Sequence, residues 1–261
     1  MRRAALVLLV ALAPAFARGE GTPTPGPLED PKLTPKHLIG DVTEGVYNST
    51  AHRWNWPAIG IAGGTGLGVF LLNRWVDPKI DQTNTPPRLG SLSKELSRVG
   101  QFGPYVVPAM FLGSGFLFPK GSPERAEVFQ TTEQLVETFL WTAGATYALK
   151  MAVGRIRPDR SNDGSLPSGH AALTFGTAGV IAWRYPWYVG VPALATASAV
   201  SFSRVDLNRH FASDVALGAG LGLFFSSVVH FYHERFEPSS TTALLPVVSK
   251  GNYGLAWTTD F

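Results

Sequence analysis

The chain has 261 residues, enough to bury one full core, and nothing in it repeats at a fixed period. Charged residues make up 16% of it, against about 25% in ordinary soluble domains, and the net charge is only +3. That balance supplies no broad basic face for nucleic acid, and the absence of cysteine removes disulfides, thiolate catalysis and Cys-ligated metal together. Histidine-based chemistry remains.

The start, MRRAALVLLVALAPAFARGE, has basic Arg2 and Arg3, an apolar centre from Ala4 to Leu12 and a small-x-small pattern at Ala15-Phe16-Ala17. It predicts a secretory signal peptide over residues 1–17; Pro14 and the short apolar run disfavour an uncleaved anchor. Residues 18–36 are a Pro/Thr/Gly linker with too little apolar surface to fold. Order is expected from His37, where Leu38, Val42 and Val46 recur at helical spacing with Asp41 and Glu44 between them, as in a short amphipathic surface helix.

Six apolar segments follow, at about Pro57 to Leu72, Tyr105 to Phe118, Leu135 to Leu149, Ala171 to Trp183, Trp187 to Phe202 and Val215 to Phe231. They predict an all-α bundle of about six apolar core helices, with membrane spanning favoured over a soluble periplasmic domain. Several are shorter than the roughly 20 residues that cross a bilayer comfortably, and Glu137 sits inside the third. Between the first two, SLSKELSRVGQFG places Leu92, Leu96 and Val99 on one face behind a Ser91 cap, a second short surface helix. The tail, residues 237–261, has two β-favouring runs around Ser249 to Asn252, with Tyr253, Leu255 and Trp257 alternating, and predicts a hairpin.

Three motifs carry chemistry. In LPSGHAALTFG, Pro and Gly punctuate the chain, and Ser168, Gly169 and His170 stand where a helix should begin. Unpartnered N–H groups and the positive dipole end suit an anion there, although the tetrapeptide alone fits an ordinary capped helix equally well. In KMAVGRIRP, Lys150 falls in the last turn of the third helix and Arg157 in the loop opened by Pro158, so two cations face one loop. Arg155 and Arg160 fit better as cations ending a helix beside a membrane surface. In SRVDLNRHFASD, Arg204 is followed by His210 and then by Asp214 four residues on. On a shared helix the carboxylate could accept from one imidazole nitrogen and free the other as a nucleophile; a surface ion pair worth about 0.5 kcal/mol fits the same spacing. The segments between the motifs bring both loops back to one end of the bundle.

Together the motifs resemble the type 2 phosphatidic acid phosphatases, which share a fold with bacterial nonspecific acid phosphatases and vanadium haloperoxidases. The family pattern K-x6-RP, PSGH, SR-x5-H-x3-D is complete in KMAVGRIRP, PSGH and SRVDLNRHFASD. The resemblance covers about residues 135–231 and implies a domain over 37–236. It implies that His210 attacks phosphorus to give a phosphohistidine, that Asp214 orients it, and that His170 protonates the leaving oxygen and later activates water. Lys150, Arg157 and Arg204 would hold the phosphate oxygens, with the Ser168 hydroxyl and the backbone N–H groups of Ser168 and Gly169. No metal or other cofactor is expected. His37, His52, His230 and His233 match no motif, and structural or surface roles are expected for them.

The activity so implied is metal-independent hydrolysis of phosphate esters, with a lipid phosphate or prenyl diphosphate favoured over a small phosphate ester. A vanadium-dependent haloperoxidase and a soluble periplasmic nonspecific acid phosphatase are the alternatives. Membrane lipids are the expected surroundings, in a multi-pass protein of a bacterial-type inner membrane with its site facing the periplasm. A cleaved signal followed by six spans would put that site in the cytosol. An outward site therefore needs a retained anchor, one segment that does not cross, or a soluble fold.

Overall fold

The computed structural model describes residues 56–79 and 86–236, together with the backbone of 242–249 and 252–259. The signal peptide, the linker, the short helix expected around Leu38 to Val46, His37 and His52 lie outside the described residues, as do the side chains of the tail.

Among the described residues six α-helices form the bundle: α1 (Trp56–Trp75), α2 (Ser91–Gly115), α3 (Pro123–Val153), α4 (Gly169–Arg184), α5 (Trp187–Asp206) and α6 (Ala212–Phe236). A single 3-10 turn, Asp77–Lys79, follows α1. Local signals set several boundaries. The Ser122 hydroxyl accepts from the Arg125 N–H at 3.2 Å and Pro123 takes the first helical position, so α3 begins there. Gly154, at φ 58°, ends it in the left-handed conformation that glycine adopts without strain.

One expected boundary is absent. Instead of a short surface helix near Ser91 and a separate apolar segment from Tyr105, α2 runs unbroken for 25 residues through Pro104 and Pro108. Ser91 is not its cap. Gly90 precedes the helix, and the Asp206 carboxylate at the end of α5 accepts from the Arg88 and Leu89 N–H groups, at 2.9 and 3.2 Å, and from the Ser93 hydroxyl. The helix start is thus satisfied from a neighbouring helix.

Helix α4 lies at the centre and touches α2, α3, α5 and α6, while α1 packs along α6. A Cβ on Gly222 would sit 2.2 Å from the Ala172 carbonyl oxygen and 2.5 Å from the Gly176 nitrogen; one on Gly218 would sit 2.4 Å from the Ser168 carbonyl oxygen. These neighbours are backbone and cannot swing aside, so only glycine lets α6 lie this close to α4. Deeper in the bundle Val228 and Val229 bury fully against Ala58, with Trp141, Phe224 and Phe225 around them. Complete burial of each valine contributes about 1.5–3 kcal/mol. The buried Glu137 carboxylate pairs with His233 at 3.0 Å, and His230 stacks on Trp183, so both histidines are built into the far end of the bundle. Two helical stretches, Trp56–Trp75 and Ala212–Glu234, are long and apolar enough to cross a bilayer.

Candidate active site

Four helix ends meet at one end of the bundle. Lys150 lies in the last turn of α3 and Arg204 in the last turn of α5, where the carbonyl ends of the helix dipoles favour cations. Lys150 Nζ donates to the Gly164 carbonyl at 2.5 Å, and Arg204 Nη1 donates to Ser97 Oγ of α2 at 2.5 Å. Arg157 stands in the loop between α3 and α4, its N–H on the Asn162 carbonyl at 3.0 Å. The Asp159 N–H donates to the Asn208 carbonyl at 3.2 Å and its carboxylate meets Arg209 at 2.9 Å, which ties this loop to the one before α6.

Ser168 occupies the N-cap position of α4, yet its side chain caps nothing: Oγ is buried without a hydrogen-bond partner. Its backbone N–H donates to the Asp214 carbonyl at 2.9 Å, so this N–H, expected to hold phosphate, is already engaged and the hydroxyl is the free group. The Nε atoms of Arg157 and Arg204 are likewise buried without partners. Leaving such a donor unsatisfied costs about 1–3 kcal/mol, so the site is built to gain from an acceptor.

His210 precedes α6 and is buried, with Nδ1 2.7 Å from the Ser165 carbonyl oxygen. A carbonyl only accepts, so Nδ1 carries the proton and Nε2 keeps its lone pair. The expected direct bond from His210 to Asp214 is replaced by this one, because the carboxylate stands 3.8 Å from Nδ1. Asp214 accepts instead from Ser165 Oγ at 2.5 Å and from the Phe211 N–H at 2.8 Å, and so fixes the loop that presents the carbonyl. Ser165 carried no sequence signal beyond that of an ordinary loop serine.

Arg155 overturns its expected role as a helix-end surface cation. Its Nη1 lies 2.8 Å from Asp214 Oδ1 and 2.7 Å from Ser213 Oγ, its Nη2 lies 3.0 Å from Asp77 Oδ2, and its guanidinium sits over the Phe211 ring at 4.2 Å. Arg155 and Asp77 are the residues that sequence reasoning missed.

The cluster carries more positive charge than negative. Burial, with Arg204, His210, Arg157 and Lys150 nearby, lowers the His170 pKa to about 4. Burial and Arg157 lower that of Lys150 to about 8, against an opposing pull from Asp214. Burial also pushes His210 below its ordinary value, although the Asp214 carboxylate acts in the other direction. An anion bound among these groups raises both the His170 and Lys150 pKa values, so by linkage it binds more tightly where they are protonated. Sulfate, a dianion throughout the range, is therefore expected to bind with increasing affinity as pH falls from 7 to 5, taking up a proton at His170. Its affinity should fall as pH rises through about 8, where Lys150 loses its charge. Calorimetry in buffers of different ionisation enthalpy reads the proton directly. A His170→Asn variant should lose the acid-side rise and keep the alkaline fall; a pH-independent affinity in the parent would contradict the assignment.

The helical bundle gathers Lys150, Arg157, Arg204, His170 and His210 near one helix N-terminus, an arrangement that could hold an anion. Residues 134–237 match the PAP2 superfamily. Over 138 residues, 51% of this chain and 30% of the relative, it is 33% identical to the lipid A 1-phosphatase of Porphyromonas gingivalis. Over 110 residues, 38% of this chain and 54% of the relative, it is 29% identical to the lipid A 4'-phosphatase of Helicobacter pylori. The matched parts thus span under a third of the first relative and about half of the second. No solved structure matches the chain.

Proposed function

We propose that this protein is a metal-independent phosphatase acting on a phosphorylated lipid. The observation that carries the reading is the set of buried, unpartnered donors, Ser168 Oγ, Arg157 Nε and Arg204 Nε, in the cluster that holds His210 with Nε2 free. With Lys150 and the start of α4 at Gly169 they supply the charge stabilisation that phosphoryl transfer requires.

In this mechanism the Nε2 lone pair of His210 attacks phosphorus and the P–O bond to the alcohol breaks. His170, protonated once the phosphate offsets the surrounding cations, gives its proton to the leaving oxygen. Neutral His170 then takes a proton from water as that water attacks phosphorus, the P–N bond breaks, and its electron pair returns to His210. Asp214 holds the Ser165 and Phe211 backbone and so keeps the imidazole in line.

Two further observations favour a lipid. A cavity of about 600 Å³ between α2, α4 and α5, lined by Val99, Val107, Phe111, Thr174, Ile181 and Ala193, reaches Thr174, four residues along α4 from His170, and is almost wholly apolar. The names of both relatives specify a phosphorylated lipid, which favours that class over a prenyl diphosphate. The reading places the domain over 37–236 in a bacterial inner membrane with its site toward the periplasm. Supporting this, α1 carries Trp56 and Trp75 at its two ends and leaves Leu67 and Phe70 exposed, the pattern of a span anchored at both interfaces. The tail beyond residue 237 completes it as a hairpin, supported by antiparallel backbone pairing from Thr242↔Thr259 to Ser249↔Asn252.

The test is phosphate release from a phosphorylated glycolipid in detergent micelles by the full chain after EDTA treatment. Activity should survive EDTA and be inhibited by vanadate. Strict dependence on added magnesium or zinc contradicts the mechanism, and vanadate-dependent bromide oxidation by peroxide without phosphate release selects a haloperoxidase.

A further inference from the structure

The start of α6 lacks half of its cap. Phe211 stands at the N-cap position and has no side-chain acceptor, whereas Asp214, three residues on, reaches back to the Phe211 N–H at 2.8 Å. In a complete capping box a side-chain oxygen at the first position would bind the N–H of the second or third helical residue. Here that acceptor comes from 136 residues earlier in the chain: Asp77 Oδ1 accepts from the Ser213 N–H at 3.2 Å. Asp77 Oδ2 accepts from the Ser213 hydroxyl and from Arg155 Nη2 at 3.0 Å. Asp77 is only 4% exposed, in the 3-10 turn after α1, and lies outside the 134–237 segment that matches the superfamily.

Arg155 is thereby shared between two carboxylates, with Asp77 on Nη2 and Asp214 on Nη1. Phe211 covers the guanidinium. From Asp214 the chain of contacts runs through Ser165 Oγ and the Ser165 carbonyl to His210 Nδ1. The geometry points to Asp77 as a positioning residue for the nucleophile: it caps α6 from α1, fixes Arg155, and through Arg155 and Asp214 sets the orientation of the His210 imidazole. It touches no reacting atom. The inference rests on His210 being the nucleophile of the proposed function.

The charges around His210 give the test a sign. Lys150 of α3, Arg155 and Arg157 of the following loop, His170 of α4, Arg204 of α5 and Asp214 of α6 all surround it. Removing the Asp77 charge leaves Arg155 balanced by Asp214 alone, a net gain of positive charge that disfavours imidazolium, so the acid limb of kcat/KM moves to lower pH. Removing the Arg155 charge moves it to higher pH.

In the full chain, Asp77→Asn is expected to lower kcat about 10- to 100-fold, the range for losing a group that orients a functional side chain. KM for a soluble phosphate ester should stay within about twofold, since the phosphate-holding cations are untouched. Arg155→Gln should lower kcat by at least as much, and the double variant should be no worse than Arg155→Gln alone, because the two act in series. Asp77→Glu should recover part of the loss. A kcat within twofold of the parent, a loss confined to KM, multiplying losses in the double variant, or an acid limb that stays put while melting temperature and active fraction fall would each overturn the proposal. Should Asp77→Asn fail to fold, the upward shift of the limb in Arg155→Gln still tests the relay. Titration of His210 by nitrogen-15 histidine NMR separates the two readings: a parent without turnover sinks the proposed function, whereas an unchanged His210 titration in Asp77→Asn sinks the positioning role.

Discussion

Replacing His210 with alanine is expected to lower turnover at least ~10⁴-fold and to remove the covalent phosphoenzyme, the scale seen when a nucleophile is deleted from an enzyme whose binding groups remain. The imidazole is buried with Arg204, Arg157 and Lys150 nearby, and its Nδ1 is committed to the Ser165 carbonyl, which leaves the lone pair on Nε2. Rapid quench with a phosphorus-32 substrate should trap an acid-labile, base-stable label on the parent and none on His210→Ala. Asp214→Asn should keep the label but form it slowly, because the amide still accepts from the Phe211 N–H while its weaker hold on Arg155 and Ser165 lets the imidazole wander. A label that persists in His210→Ala would place the nucleophile elsewhere.

The second large effect belongs to His170 and depends on the leaving group. Loss of a general acid costs about 10²- to 10⁴-fold when the leaving oxygen is a poor one, as in an alkyl or sugar phosphate. With p-nitrophenyl phosphate the departing phenolate needs little protonation, and His170→Ala should cost far less. Burial, with Arg204, Arg157 and Lys150 nearby, lowers the His170 pKa to about 4, so it acts as an acid once bound phosphate offsets those cations. Comparing kcat for the two substrates in parent and variant measures this. Equal losses would mean that His170 binds the phosphate without donating a proton.

The motifs were legible because each is short and sits at a helix end, where a few residues fix both local structure and charge. Lys150 at a C-terminus and Ser168 before an N-terminus follow from punctuation by Pro158 and Pro167. The unbroken α2 was hidden because GQFGP reads as a breaker. Tertiary packing wins there: Gly100 admits Val200 and His170 against the helix, and Pro104 is buried within it. The Asp77 and Arg155 network was hidden for a different reason. Its members are 78 and 136 residues apart, and nothing in either local stretch distinguishes a shared guanidinium from a helix-end charge. Similarly, the 3.8 Å gap between His210 and Asp214 could not be read from a four-residue spacing, which constrains two side chains only when both are helical.

Side chains at this end of the bundle bond repeatedly to sequence before residue 134. Arg204 is held by Ser97, Asp206 closes the start of α2, and Asp77 closes the start of α6. The 134–237 segment therefore draws some of its hydrogen-bond partners from outside its own boundary. Cut at its own boundary, it would lose the Asp77 acceptor for the first turn of α6 and the Ser97 acceptor for Arg204. A fragment that keeps these contacts begins no later than α1, and the stretch before the family segment is free to diverge only as far as Asp77 and Ser97 keep their acceptors in place.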